Sequence, residues 1–251
     1  MNTDLTSDLS DIRRDFTRID TATVRAAAEF ASSILADVAG RRGAMDGRVQ
    51  ALTPSMRVCG PAFTIEVRPG DNLMIHAAMA MAKPGDVLVI DGKADRTAAL
   101  MGSIMLTACK QLGLAGVVLD ASIRDTEELR ELGFPVWSIG ANPNGPTKGV
   151  PGRINWPVSC GGITVNPGDL IVGDADGITV VERDKAASLL PLAAQKVADE
   201  RQRIAEILGG GAIRPKWLEA SLVAAGVLKP GQRLCADNVF GETTWKKSWP
   251  R

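Results

Sequence analysis

The chain has 251 residues, 45% of them hydrophobic, and its 29 basic and 29 acidic side chains leave a formal net charge of zero. That is enough chain to bury a sizeable core as one large domain, or one domain with appendages. Without excess Lys and Arg to neutralise phosphates, and with no Tyr and only 4% aromatics for base stacking, nucleic acid is excluded as a partner.

The N-terminal MNTDLTSDLSDIRRDF is polar and acidic, unlike a signal peptide. Three-to-four spacing of Ile12, Phe16, Ile19, Val24, Ala28, Ala31, Ile34, Leu35 and Val38 predicts helix over 10–39, with Asp20 or Thr21 capping a second helix inside it. A polar connection, 41–52, leads to MRVCGPAFTIEV from Met56, which reads as one or two strands with Pro61 at an edge or bulge. A helix follows over 72–82, capped by Asp71, with the lone His76 as a packing or hydrogen-bonding residue. DVLVID (86–91) is an apolar strand, 92–97 a loop and 98–112 a helix stopped by Gly113. With the strand Leu114–Leu119 this makes a βαβ crossover, hence a parallel sheet. FPVWSIG (134–140) is a short strand, followed by a Gly- and Pro-rich loop carrying Lys148 and Arg153. VSCGGITV, DLIVGD and GITVVE are strands; GDADG between the last two reads as a tight turn, not a calcium loop. Helices over 184–208 and 214–226 and a tail with Trp245 and Trp249 complete the chain.

Pro-Gly recurs in RPGDN (68–72), KPGDV (83–87), NPGDL (166–170) and KPGQR (229–233), each fitting the centre of a type II turn. Cys59, Cys109, Cys160 and Cys235 are far apart with no CxxC spacing, which reads as reduced, mostly buried thiols. No apolar run is long enough to span a bilayer, so a soluble, cytoplasmic protein is expected, with no membrane partner.

Chemistry concentrates in GLAGVVLDASIRDTEELREL (113–132). A buried strand ends at Asp120, and a turn over 121–125 presents Arg124-Asp125 where ligands bind in α/β sheets. Arginine can fork a carboxylate or enolate, and the adjacent aspartate can hold a metal. Equally, Asp125 can be an N-cap with Glu128 as its capping-box partner, and Arg124 a surface ion-pair residue. No Gly-rich nucleotide loop follows a strand, and no lysine sits in an apolar strand to form a Schiff base.

Three segments together, GDNLMIHAAMAMAKPGDVLVID, GLAGVVLDASIRDTEELRELGFPVW and GPTKGVPGRINWPVSCGGITVNPGDLIVGDADGITVVE, resemble one family across most of residues 57–183. It contains the 4-hydroxy-4-methyl-2-oxoglutarate and 4-carboxy-4-hydroxy-2-oxoadipate aldolases and the regulator of ribonuclease E activity, and its members once carried a demethylmenaquinone methyltransferase label. The resemblance implies an α/β fold, a β/β/α swivelling-domain-like layered core over about 56–183 in a single domain, flanked by N- and C-terminal helices. It implies a homotrimer, or a pair of trimers, with the site between subunits. It puts the keto-acid contact on Arg124 and a divalent metal, Mg2+ or Mn2+, on Asp125. Backbone amides of Gly102, Ser103, Ile104 and Met105 would bind the pyruvyl carboxylate, a role suited to a helix N-terminus. Asp199 or Glu200 are candidates for a subunit-bridging acid.

Ser103 stands where the aldolase pattern has an Asp. A hydroxyl can hold a water but cannot act as a base near neutral pH. Decarboxylation of oxaloacetate reaches the same pyruvate enolate without a base, so this departure favours it over aldol cleavage; Asp91, Asp95 or Asp120 are candidate substitutes. Lys148 and Arg153 could bind a distal carboxylate of the hydroxy- or keto-acid substrate. The expected function is a metal-dependent lyase; the alternative is a non-catalytic trimeric regulator that binds a partner.

Overall fold

The computed structural model describes residues 11–234. Two compact units divide the chain, 1–198 and 199–251.

In the first unit, residues 11–20 are extended rather than helical, which corrects the helix expected from residue 10. Ile12 bridges Ile154, and the Phe16 ring meets Phe63 edge-on at 5.8 Å between centroids. The apolar spacing there serves tertiary contacts that override helical periodicity. Asp20 does cap α1 (Thr21–Ala27), accepting the Thr23 amide at 2.8 Å, and α2 (Ser32–Val38) follows.

The strands are β1 (Gln50–Ala51), β2 (Val58–Glu66), β3 (Val87–Met101), β4 (Gly116–Ile123), β5 (Val136–Ser138), β6 (Gly140–Ala141), β7 (Arg153–Ile154), β8 (Val158–Cys160), β9 (Ile163–Val165), β10 (Leu170–Asp174) and β11 (Gly177–Val181). The main sheet runs β1-β5-β4-β3-β2-β10-β11, with β6 on β4, β7 on β2 and β8–β9 as a separate hairpin. β2, β3, β4 and β5 are successively parallel, as the expected crossover requires, while β10 and β11 are antiparallel. Pro61 lies in a stretch of β2 that has a strand neighbour on one side only, as the edge reading expects, and no register shift marks a bulge there. β2 pairs with β10 over Val58–Pro61 and with β3 from Ala62 onward, so proline sits where the strand exchanges partners.

The interleaved helices are α3 (Leu73–Met79), shorter than the expected 72–82, then α4 (Ser103–Gln111) and α5 (Thr126–Leu132). Two corrections bear on the site. Residues 92–101 are not a loop and a helix start: β3 continues, with register shifts, to pair Ala99 with Ser122 and Met101 with Ile123. Ala98–Met101 are buried, and strand pairing outweighs the helix propensity of Ala-Ala-Leu-Met. For the same reason 121–123 are not turn but the buried end of β4. The chain breaks at Gly102, which caps α4.

Two apolar clusters hold this unit together. One lies on the parallel strands and includes Phe63, Ile65, Leu88, Ile90, Leu119 and Trp137; the other joins Ile34, Leu35, Leu170, Val172, Ala186 and Ala193. All four Pro-Gly turns form: Gly70, Gly85, Gly168 and Gly231 have φ of 72°, 90°, 85° and 79°. Each closes with an i to i+3 hydrogen bond of 2.9–3.1 Å. GDADG is a tight turn as expected, with Asp174 accepting from Ser32 and from the Asp176 amide.

α6 (Arg183–Leu208) carries Pro191 and, beyond residue 198, Asp199 and Glu200. The second unit also contains α7 (Leu218–Ala224), shorter than the expected 214–226. Trp245, Trp249 and Cys235 lie outside the described residues. Among the described residues no helix is long and apolar enough to cross a membrane, and Cys59, Cys109 and Cys160 are free thiols.

Candidate active site

β4 ends at Ile123 and delivers Arg124 and Asp125, the Arg124 amide donating to Met101 O at 3.0 Å. Asp125 takes a left-handed conformation, φ 60° and ψ 41°, which Asp tolerates better than most residues. That conformation defeats the expected capping box: its carboxylate makes no cap to α5. It turns instead to α4, where Oδ2 accepts the Ser103 amide at 2.9 Å and the Ser103 hydroxyl at 3.0 Å. Arg124 Nε lies 3.8 Å from the same oxygen.

Gly102 is what lets the three segments meet. A Cβ there would fall 2.4 Å from Asp125 Oδ2 and 3.0 Å from Arg124 Cγ. Its φ of −145° is ordinary for any residue, so the requirement is one of space. A Cβ at Gly145 would likewise lie 3.0 Å from Arg124 Nη1.

These groups open on a cleft of about 220 Å³. Arg124, Asp125, Gly102, Ile104 and Met105 line it, whereas Ser103 touches it only through Asp125. The Ile104 and Met105 amides, in the first turn of α4, have no acceptor among the described residues. Free amides at a helix start attract an anion. Lys148 and Pro146 form another side, held there by Asp71. Its Oδ2 accepts from Thr147 Oγ1 (2.7 Å), Gly149 N (2.8 Å) and Val150 N (3.2 Å), while Oδ1 takes the Leu73 amide. Burial pushes the Asp71 carboxyl up, but these four donors outweigh it and hold it below the usual carboxylate range. Arg153 is elsewhere, on β7, paired with Asp11 at 3.5 Å and over the Trp156 ring.

The candidate substitute acids also lie outside the cleft lining. Asp91 is buried against Lys93 Nζ at 2.7 Å, Asp120 accepts from Arg48 and the Gly161 amide, and Asp95 accepts from Thr97. Conversely, sequence reasoning missed two lining residues. Asn72 is buried, donating to Leu100 O at 2.9 Å and to Met105 Sδ. His76, read as a packing or hydrogen-bonding residue, is exposed on the cleft wall. The buried positions of α3 are Met74, Ile75 and Ala78, so His76 falls off the packed stripe, a signal already present in the pattern.

No group of three His, Cys, Asp or Glu side chains gathers among the described residues in a way that could hold a metal. The donor set nevertheless fits an ion that keeps most of its water. Asp125 Oδ1 makes no hydrogen bond among the described residues, and one carboxylate at the edge of an open cleft suits magnesium or manganese.

The profile of the RraA-like family, Aldolase/RraA, matches residues 6–180. A Halalkalibacterium halodurans protein named "Putative 4-hydroxy-4-methyl-2-oxoglutarate aldolase" is 44% identical over 155 residues, 62% of this chain and 74% of that one. The crystal structure of Streptomyces coelicolor RraAS2, titled an unusual member of the RNase ES inhibitor RraA protein family, superposes with a TM-score of 0.69 at 30% identity, over 75% of this chain and 99% of that one. The Thermus thermophilis structure titled RNA-processing inhibitor RraA gives a TM-score of 0.56 at 27% identity, over 60% and 91%.

Proposed function

Because this chain belongs to the RraA-like family, Aldolase/RraA, we propose that its cleft is the active site of a lyase that cleaves a carbon–carbon bond in a pyruvyl-containing keto acid. The observation that carries this reading is the convergence of Arg124 and the free Ile104 and Met105 amides on one small cleft. These are the donors a 2-keto acid needs at its carboxylate and keto oxygens. As the bond to C3 breaks, negative charge spreads over the enolate, and Arg124 faces it without reorganising. Lys148 takes the distal carboxylate of the substrate. A magnesium or manganese ion held by Asp125 would supply further electrostatic stabilisation of that charge. Ser103 holds Asp125 in place through its amide and hydroxyl, a positioning role in place of the family acid. The side chain of Ile104, 83% exposed at the cleft, fits a site that a neighbouring copy covers in a trimer or hexamer. The free thiols fit a cytoplasmic setting.

The test is pyruvate release from oxaloacetate and from 4-hydroxy-4-methyl-2-oxoglutarate, with magnesium or manganese and then with chelator. The reading expects metal-dependent release that disappears in Arg124→Ala and Asp125→Ala. A second reading, a partner-binding inhibitor, is favoured by the RraA inhibitors whose structures share this fold. Absence of turnover in the folded wild type, together with inhibition of an RNase E-type nuclease, would select it.

A further inference from the structure

We infer that His76 is the catalytic acid–base of this cleft, a role that rests on the lyase reading above. Enolate chemistry must move a proton. Ser103 cannot take one near neutral pH, and its hydroxyl already donates to Asp125. Asp125 has one oxygen committed to Ser103, and its other is the candidate metal ligand. Asp71 is buried under four donors. The guanidinium of Arg124 does not release its proton. Lys148 is a cation suited to holding a carboxylate.

His76 remains. Its side chain shares the cleft with Arg124, Asp125 and Lys148, the charged groups that face it there. Nothing among the described residues hydrogen-bonds its imidazole, so both ring nitrogens are free to meet a substrate. Asn72, the N-cap of α3 four residues earlier, is tied to Leu100 O and Met105 Sδ, which fixes the start of α3 against the corner between β3 and α4. A neutral imidazole has one ring nitrogen that can accept a proton and one N–H that can give one, so a single side chain can serve both steps.

In aldol cleavage the neutral ring removes the proton of the C4 hydroxyl as the C3–C4 bond breaks. The C4–O bond becomes a carbonyl and the C3–C4 pair enters the C2–C3 enolate. The imidazolium then returns the proton to C3, giving pyruvate and a neutral ring, with no net proton exchanged. In decarboxylation no proton leaves first; the imidazolium protonates C3 after carbon dioxide departs, and water reprotonates the ring.

The deciding experiment follows deuterium exchange into the pyruvate methyl group by NMR, beside turnover of both substrates and pyruvate binding. It compares wild type with His76→Asn and His76→Gln in the metal-supplemented protein, with and without added imidazole. His76 is exposed, so both variants should melt like wild type. The role predicts a fall of about 10²- to 10⁴-fold in exchange and kcat, little change in KM or pyruvate binding, and partial rescue by imidazole. Wild-type exchange and turnover in His76→Asn would overturn the His76 role and leave the lyase reading standing. A wild type that neither binds pyruvate, exchanges its protons nor turns over either substrate would overturn both.

Discussion

Gly102→Ala separates the cleft from the fold. The new Cβ meets Asp125 Oδ2 at 2.4 Å, where ordinary contact begins at 3.4 Å, and also crowds Arg124 Cγ and Nε at 3.0 and 3.2 Å. Backbone strain is absent, because φ is −145°. The carboxylate must retreat by about 1 Å, and a displacement of that size costs about 10²-fold in a positioned reaction. The Asp125 side chain is a third exposed and can swing toward water, so overpacking costs about 1 kcal/mol, the low end of its range. Losing the Ser103 contacts adds about 1 kcal/mol, since water replaces part of them. For a chain of this size the sum lowers Tm by about 4–8 °C. Pyruvate release from oxaloacetate, measured beside a thermal melt, reads both effects. Unchanged kcat and KM would show that the junction of Gly102, Arg124 and Asp125 is not the keto-acid site. A collapse in Tm beyond about 15 °C would show that it is a structural joint, and the reasoning would fail.

Asp71→Asn puts an amide before donors that need an acceptor and should cost about 2 kcal/mol, or ~4–8 °C in Tm, as well as loosening the Lys148 loop. Its lowered pKa also fixes a sign: the wild-type stability from this group is full above the ordinary carboxylate pKa and lost as pH falls through the lower folded value, so the gap between the two melts should close in acid. Trp137 is fully buried and its Nε1 donates to Asp174 O at 3.1 Å; Trp137→Ala should cost about 3–5 kcal/mol by urea denaturation, and a cost under 1 would show that the cluster repacks. Burial pushes the Cys59 and Cys109 thiols up to about 12 and Cys160 higher still, so none should react with iodoacetamide at pH 8 in the native protein, as mass spectrometry after brief labelling can check.

Where a local rule and the tertiary environment agree, the sequence was readable. The four Pro-Gly pairs are turns because glycine relieves positive φ regardless of surroundings, and Gly116–Leu119 within the expected Leu114–Leu119 run is a strand because every residue in it can be buried. Misreadings cluster where distant pairing decides. Ala98–Met101 has helical composition but is claimed by β4, and the segment before Thr21 has helical spacing but is bridged at Ile12 to Ile154 of β7. The site was legible as a pair of residue types and illegible as geometry. Asp125 and Glu128 satisfy a capping rule, yet the left-handed backbone sends the carboxylate to Ser103, a partner 22 residues away in sequence. His76 was masked by its immediate apolar neighbours, although the apolar stripe of α3 already left it off the packed face.

The exchange of partners at Pro61 has a consequence for biosynthesis. β2 can acquire its parallel neighbour as soon as Val87–Asp91 has been made, but its other pairing waits for Leu170–Gly173. Until then the nascent chain offers Val58–Pro61 as an open strand edge, the kind of template that recruits other chains. A ribosome paused or a message truncated between those two points would release a half-clad sheet. Proline, which cannot donate there, is placed in the very stretch left uncovered, where it weakens that edge as a template for the wrong partner.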